Sequence, residues 1–260
     1  MSVDRLPISV LLLARDETRD LEELLPALAF ASEVVVVWDP RGDRAARDAA
    51  ERMGARVFER TFDGFGPQRR FALARCTQDW VLWLDADERL APETLPTLAR
   101  AAALGSERPA MLLARRTTEF LGRPIHWCGW GDEWLPRLFT RAGAAFDDAP
   151  VHERVRVDGA RTLRLGPFEI VHRSYRTWDD CVGKMVRYAH ANAEKAWRAG
   201  RRASPLDVAV RPPLRFLRQY VLQLGFLDGA HGLLLCAFAA AQVFLKYAEL
   251  WTRSRERPPA

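Results

Sequence analysis

The feature that most constrains the fold is a short apolar run that ends in three carboxylates. Residues 80–84 carry no charge, and Asp85, Asp87 and Glu88 follow them. An uncharged run of this length predicts a strand that is covered on both faces, as in a parallel sheet flanked by helices. The acids then lie at the carboxyl end of the strand, which is the edge where open α/β sheets bind their ligands.

The spacing of Asp85 and Asp87 has two interpretations. Two carboxylates just past a strand can share one hard cation, Mg²⁺ or Mn²⁺, which in turn bridges a diphosphate. Alternatively, Asp87 caps a turn that leads into a helix at Pro92. A lone Asp-x-Asp favours the turn, so the choice depends on the rest of the chain.

Strands and helices alternate through the N-terminal half of the chain. Residues 8–13, 33–39 and 56–59 predict three further strands. Asp20, with Glu23 three positions later, predicts a helix that starts with a capping box, and Asp43 predicts the N-cap of the next helix. This alternation predicts an α/β fold of parallel βαβ units with right-handed crossovers.

Acidic residues follow several of these strands. Asp16, Asp39 and Asp85 therefore converge on one edge of the predicted sheet, which indicates a site for a nucleoside diphosphate, with Asp39 accepting hydrogen bonds from a ribose or a base. The G-x-G-x-x-G fingerprint is missing after the first strand, which argues against a nicotinamide dehydrogenase. A haloacid-type phosphatase would carry its Asp-x-Asp after the first strand, and this chain does not.

The middle of the chain combines tryptophans with isolated charges. Residues 117–131 predict a loop-rich segment that carries Trp127 and Trp130, and Trp134 follows. Tryptophan faces stack on the apolar sides of sugars, but such clusters are as often part of a core. His152 fits a borderline metal site or a phosphate contact, although an isolated histidine is more often structural.

The C-terminal third predicts helices that are both basic and apolar. Residues 184–218 contain nine Lys and Arg against two acids, a net charge of +7 that exceeds the +5 of the whole chain. We expect a helix break at Pro212 and Pro213, followed by a 17-residue apolar stretch at 229–245. That stretch is shorter than the roughly 20 residues that span a bilayer. An anionic membrane surface, bound peripherally or by shallow insertion, is therefore the expected partner, and nucleic acid is not.

The cysteines and the N-terminus indicate a compartment. The four cysteines show no C-x-x-C pairing, and the N-terminus has no charged-then-apolar signal. These features predict reduced thiols and a cytoplasmic protein.

Several motifs in order resemble those of one family. The chain is similar to bacterial family 2 glycosyltransferases, in the branch of lipopolysaccharide-core β-glucosyltransferases, and the resemblance covers nearly its whole length. The motifs are Asp39 after the second strand, Gln68-Arg69-Arg70-Phe71-Ala72-Leu73, Asp85-Ala86-Asp87-Glu88, Arg137-Leu138-Phe139, Val151-His152-Glu153 and Gly225-Phe226-Leu227-Asp228-Gly229.

The resemblance implies a fold, a reaction and a location. It implies a GT-A domain at residues 1–175 and a helical, membrane-associating region at 176–260. The expected reaction is an inverting, metal-dependent transfer from a nucleotide-diphosphate-sugar donor to a glycolipid acceptor, at the cytoplasmic face of the inner membrane. Two alternatives are a catalytically silent, membrane-docked sugar-nucleotide binding module and a nucleotidyltransferase, although the second lacks its glycine-rich loop at 14–20.

The resemblance also implies roles for the donor-site residues. Asp16, Asp39 and Arg69 are expected to bind the donor, and Asp85 and Asp87 to hold the donor and the metal. His152 is a further candidate metal ligand. Arg137 is expected either to contact a phosphate or to form a structural ion pair.

An inverting transfer requires one general base and no protein nucleophile. Asp132 is the expected base, with Glu133 and Glu153 as competitors, because the Pro-Asp that precedes Arg-Leu-Phe in the family is displaced here. Two other departures, Pro40-Arg41-Gly42-Asp43 after the second strand and Arg70 in place of an Asn, leave the base and sugar of the donor open.

Overall fold

The structure, a computed structural model, describes residues 5–131, 133–147 and 154–255. The chain forms two compact units. The first comprises Met1–Arg116 and Trp134–His172, and the second comprises Thr117–Glu133 and Arg173–Ala260. A short segment from the middle of the sequence thus belongs with the C-terminal helices, and the functional division at residue 175 stays a prediction.

Twelve strands and seven α-helices make up the described part of the chain. The strands are β1 Leu6–Ala14, β2 Ala31–Trp38, β3 Arg56–Glu59, β4 Trp80–Trp83, β5 Glu88–Leu90, β6 Ala110–Phe120, β7 Arg123–Ile125, β8 Glu133–Thr140, β9 Ala144–Phe146, β10 Val155–Val157, β11 Arg161–Leu163 and β12 Glu169–Tyr175. The α-helices are α1 Thr18–Leu24, α2 Arg44–Arg52, α3 Phe65–Leu73, α4 Leu95–Ala103, α5 Trp178–Arg198, α6 Pro205–Leu217 and α7 Gly229–Arg255. Short 3₁₀ turns cover Leu25–Leu28, Pro92–Thr94 and Gly225–Asp228, and a π-helical turn covers Arg218–Leu222.

The first unit is built on a mixed sheet in which the predicted parallel strands form one half. The strand order is β3-β2-β1-β4-β8-β6-β12-β5, and the first four strands are parallel. Beyond them, β8 runs antiparallel to β4, and β5 runs antiparallel to β12. The α/β prediction is confirmed, and the antiparallel extension adds strands whose partners the sequence pattern did not specify.

Apolar side chains cover both faces of the parallel half. Val10 and Leu12 of β1 join a core with residues of α1 and α4, whereas Leu11 points to the other face and joins a core with residues of α3 and β4. Successive residues of a strand point to opposite faces, so a strand buried on both faces is apolar at every position. This is why β1, β2 and β4 appear in the sequence as uncharged runs.

Two helix starts were predicted from capping residues, and one prediction is wrong. Asp43 accepts a hydrogen bond from the Ala45 amide at 2.9 Å and caps α2 as expected. In contrast, α1 begins at Thr18, and Asp20 lies in its first turn. The N-cap position is Glu17, so Asp20 is not the cap, and its carboxylate instead forms an ion pair with Arg89, 3.2 Å away.

Two connections in the chain are more regular than predicted. The turn interpretation of Asp87 expected a direct passage to a helix at Pro92, but β5 intervenes. Likewise, the segment predicted as loop-rich contains the end of β6 paired with β7, for example Thr118 opposite Ile125. β-Branched and aromatic residues favour this pairing, which the glycines further along obscured in the sequence.

In the second unit, α7 packs along α5 and α6 around a small apolar core. Arg253 near the end of α7 pairs with Glu194 of α5, and His190 lies 2.9 Å from Glu249. By length and composition alone, Gly225–Arg255 could cross a membrane. The apolar C-terminal helix predicted from the sequence is therefore present.

The break expected at Pro212 and Pro213 is wrong, because both prolines lie inside α6. Each proline removes a backbone donor, which normally ends a helix. Here α6 begins with a full capping box, in which Ser204 and Asp207 bond each other's backbone amides, and it packs against α7. Tertiary packing of this kind outweighs local helix propensity.

Candidate active site

The carboxylates that follow β4 occupy a tight turn at the edge of the sheet. The Leu84 amide extends the parallel pairing by donating to Leu11, and the Glu88 amide then closes the turn by donating to the Asp85 carbonyl at 3.0 Å. The Glu88 carboxylate accepts from the Asp85 amide at 3.0 Å. The backbone of the turn is therefore held by its own acidic side chain, and Asp85 and Asp87 are set at the carboxyl end of the strand.

Two buried arginines lie beneath Asp85. Arg69 of α3 donates to one carboxylate oxygen at 3.1 Å, and Arg137 of β8 donates to the other at 3.3 Å. Both guanidinium groups lie over the ring of Trp83, at 4.1 and 4.3 Å from its centroid. The aromatic face stabilises the two cations, and the fork geometry of arginine lets each bond a separate oxygen.

Glu88 completes the charge balance of the buried group. Its carboxylate is fully buried and bonds Arg137 at 2.5 Å and Arg116 at 3.4 Å. Burial raises the pKa of Glu88, and the neighbouring Asp85 raises it further against the pull of Arg137. For Asp85 burial also raises the pKa, but the charges of Arg137 and Arg69 outweigh burial and leave it below its usual range. Asp85 therefore carries its negative charge at neutral pH.

Exposure distinguishes the groups that can meet a ligand from those that support them. The side chains of Arg69, Arg137 and Glu88 are at most 5% exposed, whereas Asp85 retains 32% and Asp87 26%. The two aspartates thus face the opening of this edge. Arg137 forms the ion pairs of a structural residue, and its predicted contact with a phosphate stays a prediction.

Asp87 lies beside a histidine that the sequence did not point to. His172 of β12 places its Nε2 atom 3.2 Å from an Asp87 carboxylate oxygen. The pairing of β12 with β5 sets this arrangement, because His172 lies directly opposite Glu88 in the register. Nothing in the local sequence marks His172, since it owes its position to the pairing of two strands distant in the chain.

The donor set at this edge suits a cation that is shared with a diphosphate. Among the described residues no group of three or more His, Cys, Asp and Glu side chains is arranged to enclose a metal ion. Mg²⁺ is typically bound by one or two carboxylates and completes its shell with substrate phosphates and water. The pair of Asp87 and His172, with Asp85 two residues away, fits such an open site.

Asp39 follows strand β2, which is separated from β4 by β1 in the sheet, and Arg41 closes over it. The carboxylate is 3% exposed and is held in a bidentate contact, with Arg41 Nη2 at 2.7 Å and Nε at 3.0 Å. Hydrogen bonding from Arg41 is the largest effect on Asp39 and lowers its pKa to about 2. Arg41 belongs to the segment after the second strand that departs from the pattern of the resembled family. This departure has a structural consequence, because Arg41 covers the carboxylate of Asp39, which the resemblance assigns to the donor.

Asp16 joins the loops that follow β1 and β2. Its carboxylate accepts from the Asp43 amide at 2.8 Å, and the backbone of Arg15 accepts from the Trp38 indole at 3.1 Å. A side chain at Gly42 would lie 2.4 Å from the Arg15 carbonyl, so only glycine allows the two loops to approach so closely. Asp16, Asp39 and Asp85 therefore follow three adjacent parallel strands, as the sequence predicted.

The predicted base and one predicted metal ligand are not placed by the structure. Asp132, His152 and Glu153 lie outside the described residues. Glu133 is the first residue of β8 and is exposed. The choice among the three acids proposed as the base therefore stays a prediction.

The tryptophans of the middle section divide between core and surface. Trp130 packs in the core of the second unit against Tyr175, with ring centroids 5.2 Å apart. Trp127 and Trp134 are 42% and 60% exposed. The core interpretation thus holds for Trp130, and the other two retain the surface that stacking on a sugar requires.

Comparison with curated proteins gives relatives that share almost the full length of the chain. The "Lipopolysaccharide core biosynthesis glycosyltransferase LpsC" of Rhizobium meliloti (strain 1021) is 25% identical over 266 residues, covering 96% of this chain and 94% of the relative. An "Uncharacterized glycosyltransferase" of Rickettsia bellii (strain RML369-C) is 23% identical over 268 residues, covering 97% and 89%.

Solved structures resemble the chain at low sequence identity. S. aureus TarS 1-349 in complex with UDP-GlcNAc has a TM-score of 0.46 at 17% identity and covers 95% of this chain and 91% of that one. The mannosyltransferase PcManGT from Pyrobaculum calidifontis, in complex with GDP-Man and Mn2+, also has a TM-score of 0.46, at 16% identity, and covers 100% and 79%.

The family assignment rests on the match of the sequence to a family model. The predicted GT-A architecture is confirmed as a mostly parallel sheet with flanking helices, followed by a long apolar C-terminal helix. The family model "Glycosyl transferase family 2" matches residues 9–156, a range that runs from β1 to β10 and includes Asp39, Asp85, Asp87 and Arg137. The chain belongs to glycosyl transferase family 2.

Proposed function

We propose that the protein transfers a sugar from a nucleotide-diphosphate-sugar donor to a membrane-associated glycolipid of the lipopolysaccharide-core type, with inversion at the anomeric carbon. The observation that carries this proposal is the arrangement at the end of β4. The partly exposed Asp85 there pairs with two buried arginines, and the partly exposed Asp87 lies beside it in a chain that belongs to a glycosyltransferase family. The relative from Rhizobium meliloti, whose name refers to lipopolysaccharide core biosynthesis, supports the acceptor class.

The nucleoside half of the donor is proposed to bind where β1 and β2 end. Asp39 is the acceptor for a ribose or base hydroxyl or amine, and Asp16 braces the loop beside it. Arg41 occupies both oxygens of Asp39, so a nucleoside must either displace this guanidinium or bond it directly. Either route makes Arg41 part of donor recognition.

The diphosphate half of the donor is proposed to bind at Asp85 and Asp87 through a divalent cation. Mg²⁺ or Mn²⁺, when bound, supplies the positive charge that a departing diphosphate needs. Asp87 and Asp85 would hold the cation, with His172 beside Asp87. Arg69 and Arg137 keep the Asp85 carboxylate ionised and hold its orientation. They therefore act as positioning residues.

The acceptor hydroxyl is proposed to lose its proton to one acid as it attacks the anomeric carbon. In a single displacement the new glycosidic bond forms as the bond to the diphosphate breaks, so the sugar is inverted and no covalent enzyme intermediate arises. Asp132 is the proposed base, and Glu133 and Glu153 are the competing candidates.

The reaction is proposed to occur at the cytoplasmic face of the inner membrane. The +7 segment at 184–218 precedes an apolar helix, and this combination favours an anionic lipid surface. Binding is proposed to be peripheral or shallow, in keeping with the packing of α7 along α5 and α6.

A panel of nucleotide sugars tests the donor proposal. Thermal unfolding of the protein with Mn²⁺ and each donor should give an upward shift in Tm for one base and one sugar, because ligands that bind only the folded state stabilise it. Asp39→Asn should reduce that shift. If no nucleotide sugar or nucleoside diphosphate shifts the Tm of the wild type, the donor proposal is wrong.

A silent sugar-nucleotide binding module and a nucleotidyltransferase are the alternative functions. The first would show the same shift in Tm but no turnover with any glycolipid acceptor. The second would release pyrophosphate from a nucleoside triphosphate. Neither has an observation in its favour beyond those that support the transferase.

A further inference from the structure

A basic recess lies within the second unit, called the helical unit below. It is formed by the end of α5, the residues that follow it, the middle of α6 and the C-terminal part of α7. It has a volume of about 300 Å³, and its cationic lining residues are Arg201, Arg202, Arg211 and Lys246. This volume is at the lower end of the range of about 300–1,000 Å³ that is usual for small-molecule sites. The recess thus has room for one small charged group.

The backbone and aromatic contacts hold these cations in place. The Arg201 amide donates to the Ala196 carbonyl at 2.9 Å across the end of α5, where Gly200 adopts a positive φ of 75°. This is the hydrogen bond of a Schellman-type helix end, and it fixes where the next residues leave α5. The guanidinium of Arg202 lies 3.7 Å from the centroid of the Trp197 ring.

The other two cations flank a tyrosine. The guanidinium of Arg211 and the Lys246 Nζ atom lie 4.7 and 5.0 Å from the centroid of the Tyr247 ring. Cation–π contacts of this kind restrict long side chains that would otherwise be dispersed in solvent. Two helices therefore direct positive charge to the same aromatic surface.

The carboxylates nearby do not balance this charge. Asp207 pairs with one cation of the recess, Arg211, at 2.6 Å. The other two carboxylates pair with residues outside the recess: Glu194 with Arg198 and Arg253, and Glu249 with Arg253 and His190. In the described part of the chain no carboxylate is recorded in an ion pair with Arg201, Arg202 or Lys246. Burial, together with the charges of Arg201 and Arg211, holds the pKa of Lys246 below its ordinary value.

The helix that contributes Arg211 also exposes an apolar face. Leu206, Val210, Leu214 and Leu217 recur at spacings of four, four and three residues and are all at least 40% exposed. Such spacing places them along one side of α6, with Arg211 next to Val210. An apolar face bordered by clustered cations suits the boundary between the acyl chains and the head groups of a bilayer.

We propose that this recess binds a phosphate monoester carried by a membrane lipid, with the apolar face of α6 lying in the same lipid surface. A monoester presents up to two negative charges and three acceptor oxygens, which arginine forks and a lysine ammonium can bond together. Four cations with one carboxylate therefore complement a monoester better than a singly charged diester. The site is distinct from the donor site and does not depend on which sugar is transferred.

The test is sedimentation with vesicles of stated composition. Phosphatidylcholine vesicles containing phosphatidic acid, which carries a monoester, are compared with vesicles containing phosphatidylglycerol, a diester, at equal surface charge. We expect the wild type to bind the monoester vesicles more tightly. The double substitution Arg202→Gln/Lys246→Gln should weaken that binding by about tenfold and should remove the preference.

A matched control separates a specific site from bulk charge. Arg187→Gln/Arg218→Gln also removes two charges from exposed positions of the helical unit, and it should keep the preference for the monoester. The Tm of each variant establishes that it folds. Equal losses for the two double variants on both kinds of vesicle would show that the recess contributes only bulk charge and would overturn the proposal.

Free phosphate distinguishes the possible sources of the ligand. We expect millimolar inorganic phosphate to have little effect on the Tm of the wild type and to compete weakly with phosphatidic acid vesicles. If inorganic phosphate raises the Tm and abolishes vesicle binding, the recess serves a soluble anion and the lipid assignment is wrong.

Discussion

At the scale of single residues, the site is defined by which charges are buried and which are exposed. Arg69, Arg137 and Glu88 form a buried group of opposite charges beneath Asp85. Removing one partner from such a group leaves an uncompensated buried charge, which typically costs about 3–5 kcal/mol. Substitutions of these residues and of Asp85 therefore affect folding, whereas the partly exposed Asp87, which in the described part of the chain is not recorded in an ion pair with these arginines, can be changed to examine chemistry.

Asp87 gives the clearest test of the cation. Asp87→Asn should lower turnover by at least about a hundredfold with an unchanged Tm, because the departing diphosphate loses charge neutralisation. Asp79→Asn is the control, since Asp79 is an exposed acid at the other end of β4. Steady-state rates with and without excess EDTA complete the test, and full activity in EDTA would rule out a required cation.

The general base is tested by two isosteric substitutions. Asp132→Asn should lower kcat by about 10²–10⁴ with donor binding unchanged, which is the usual contribution of a positioned base. Glu153→Gln should leave kcat within a few-fold of the wild type. If only Glu153→Gln causes the loss, the base is Glu153 and not Asp132.

Arg41 gives a prediction for pH. Its hydrogen bonds lower the pKa of Asp39 to about 2, so Arg41→Ala should return this pKa towards its ordinary value of about 3.9. The stabilisation from this pair is fully present above the unfolded pKa and disappears as the pH falls from about 4 to about 2. Carboxyl NMR titration measures the shift, and an Asp39 pKa that remains near 2 in Arg41→Ala would contradict it.

At the scale of elements, the Gly225–Gly229 motif has a structural explanation within the helical unit. The Asp228 carboxylate accepts from the amides of His126 and Trp127 at 3.1 and 2.9 Å. Gly232 is required nearby, since a side chain there would lie 2.0 Å from the Gly225 carbonyl. The motif therefore ties the residues that follow β7 to the start of α7.

Asp228→Ala should lower the free energy of unfolding by about 1–3 kcal/mol, because two backbone amides lose their acceptor. Chemical denaturation measures the change. Asp228→Asn keeps one carbonyl oxygen and should show a smaller loss. Equal stability of Asp228→Ala and the wild type would mean that these hydrogen bonds contribute nothing net.

The sequence predicted those elements whose burial produces a pattern. The strands β1, β2 and β4 are covered on both faces, so each appears as an uncharged run, and the acids after them follow directly. The pairing of β5 with β12 has no such signature, because register depends on strands distant in the chain. His172 beside Asp87, and Arg41 over Asp39, are therefore features that only the folded chain reveals.

The same reasoning explains the wrong helix predictions. Asp20 is a good capping residue by type, but its pairing with Arg89 depends on a strand that lies well beyond it in the chain. Pro212 and Pro213 are strong helix breakers by type, but α6 keeps its course while packed against α7. In both cases tertiary contacts outweighed local preference.

At the scale of the whole molecule, the chain combines the first unit, which is built on the sheet, with the second, helical unit, which carries basic and apolar surface. The family match covers residues 9–156, and the relatives extend over nearly the full chain. The helical unit is therefore shared with those relatives rather than added to this chain alone. In the proposed function, donor chemistry and lipid contact belong to different units.

Acceptor-dependent release of nucleoside diphosphate tests the central proposal most directly. The wild type is incubated with Mn²⁺, the nucleotide sugar that gives the largest shift in Tm, and a truncated lipopolysaccharide-core glycolipid. We expect one nucleoside diphosphate to be released for each sugar that appears on the acceptor, with little release when the acceptor is omitted. Binding of the donor without any acceptor-dependent release, over a panel of core glycolipids, would contradict the assignment as a glycolipid glycosyltransferase and would favour a silent binding module.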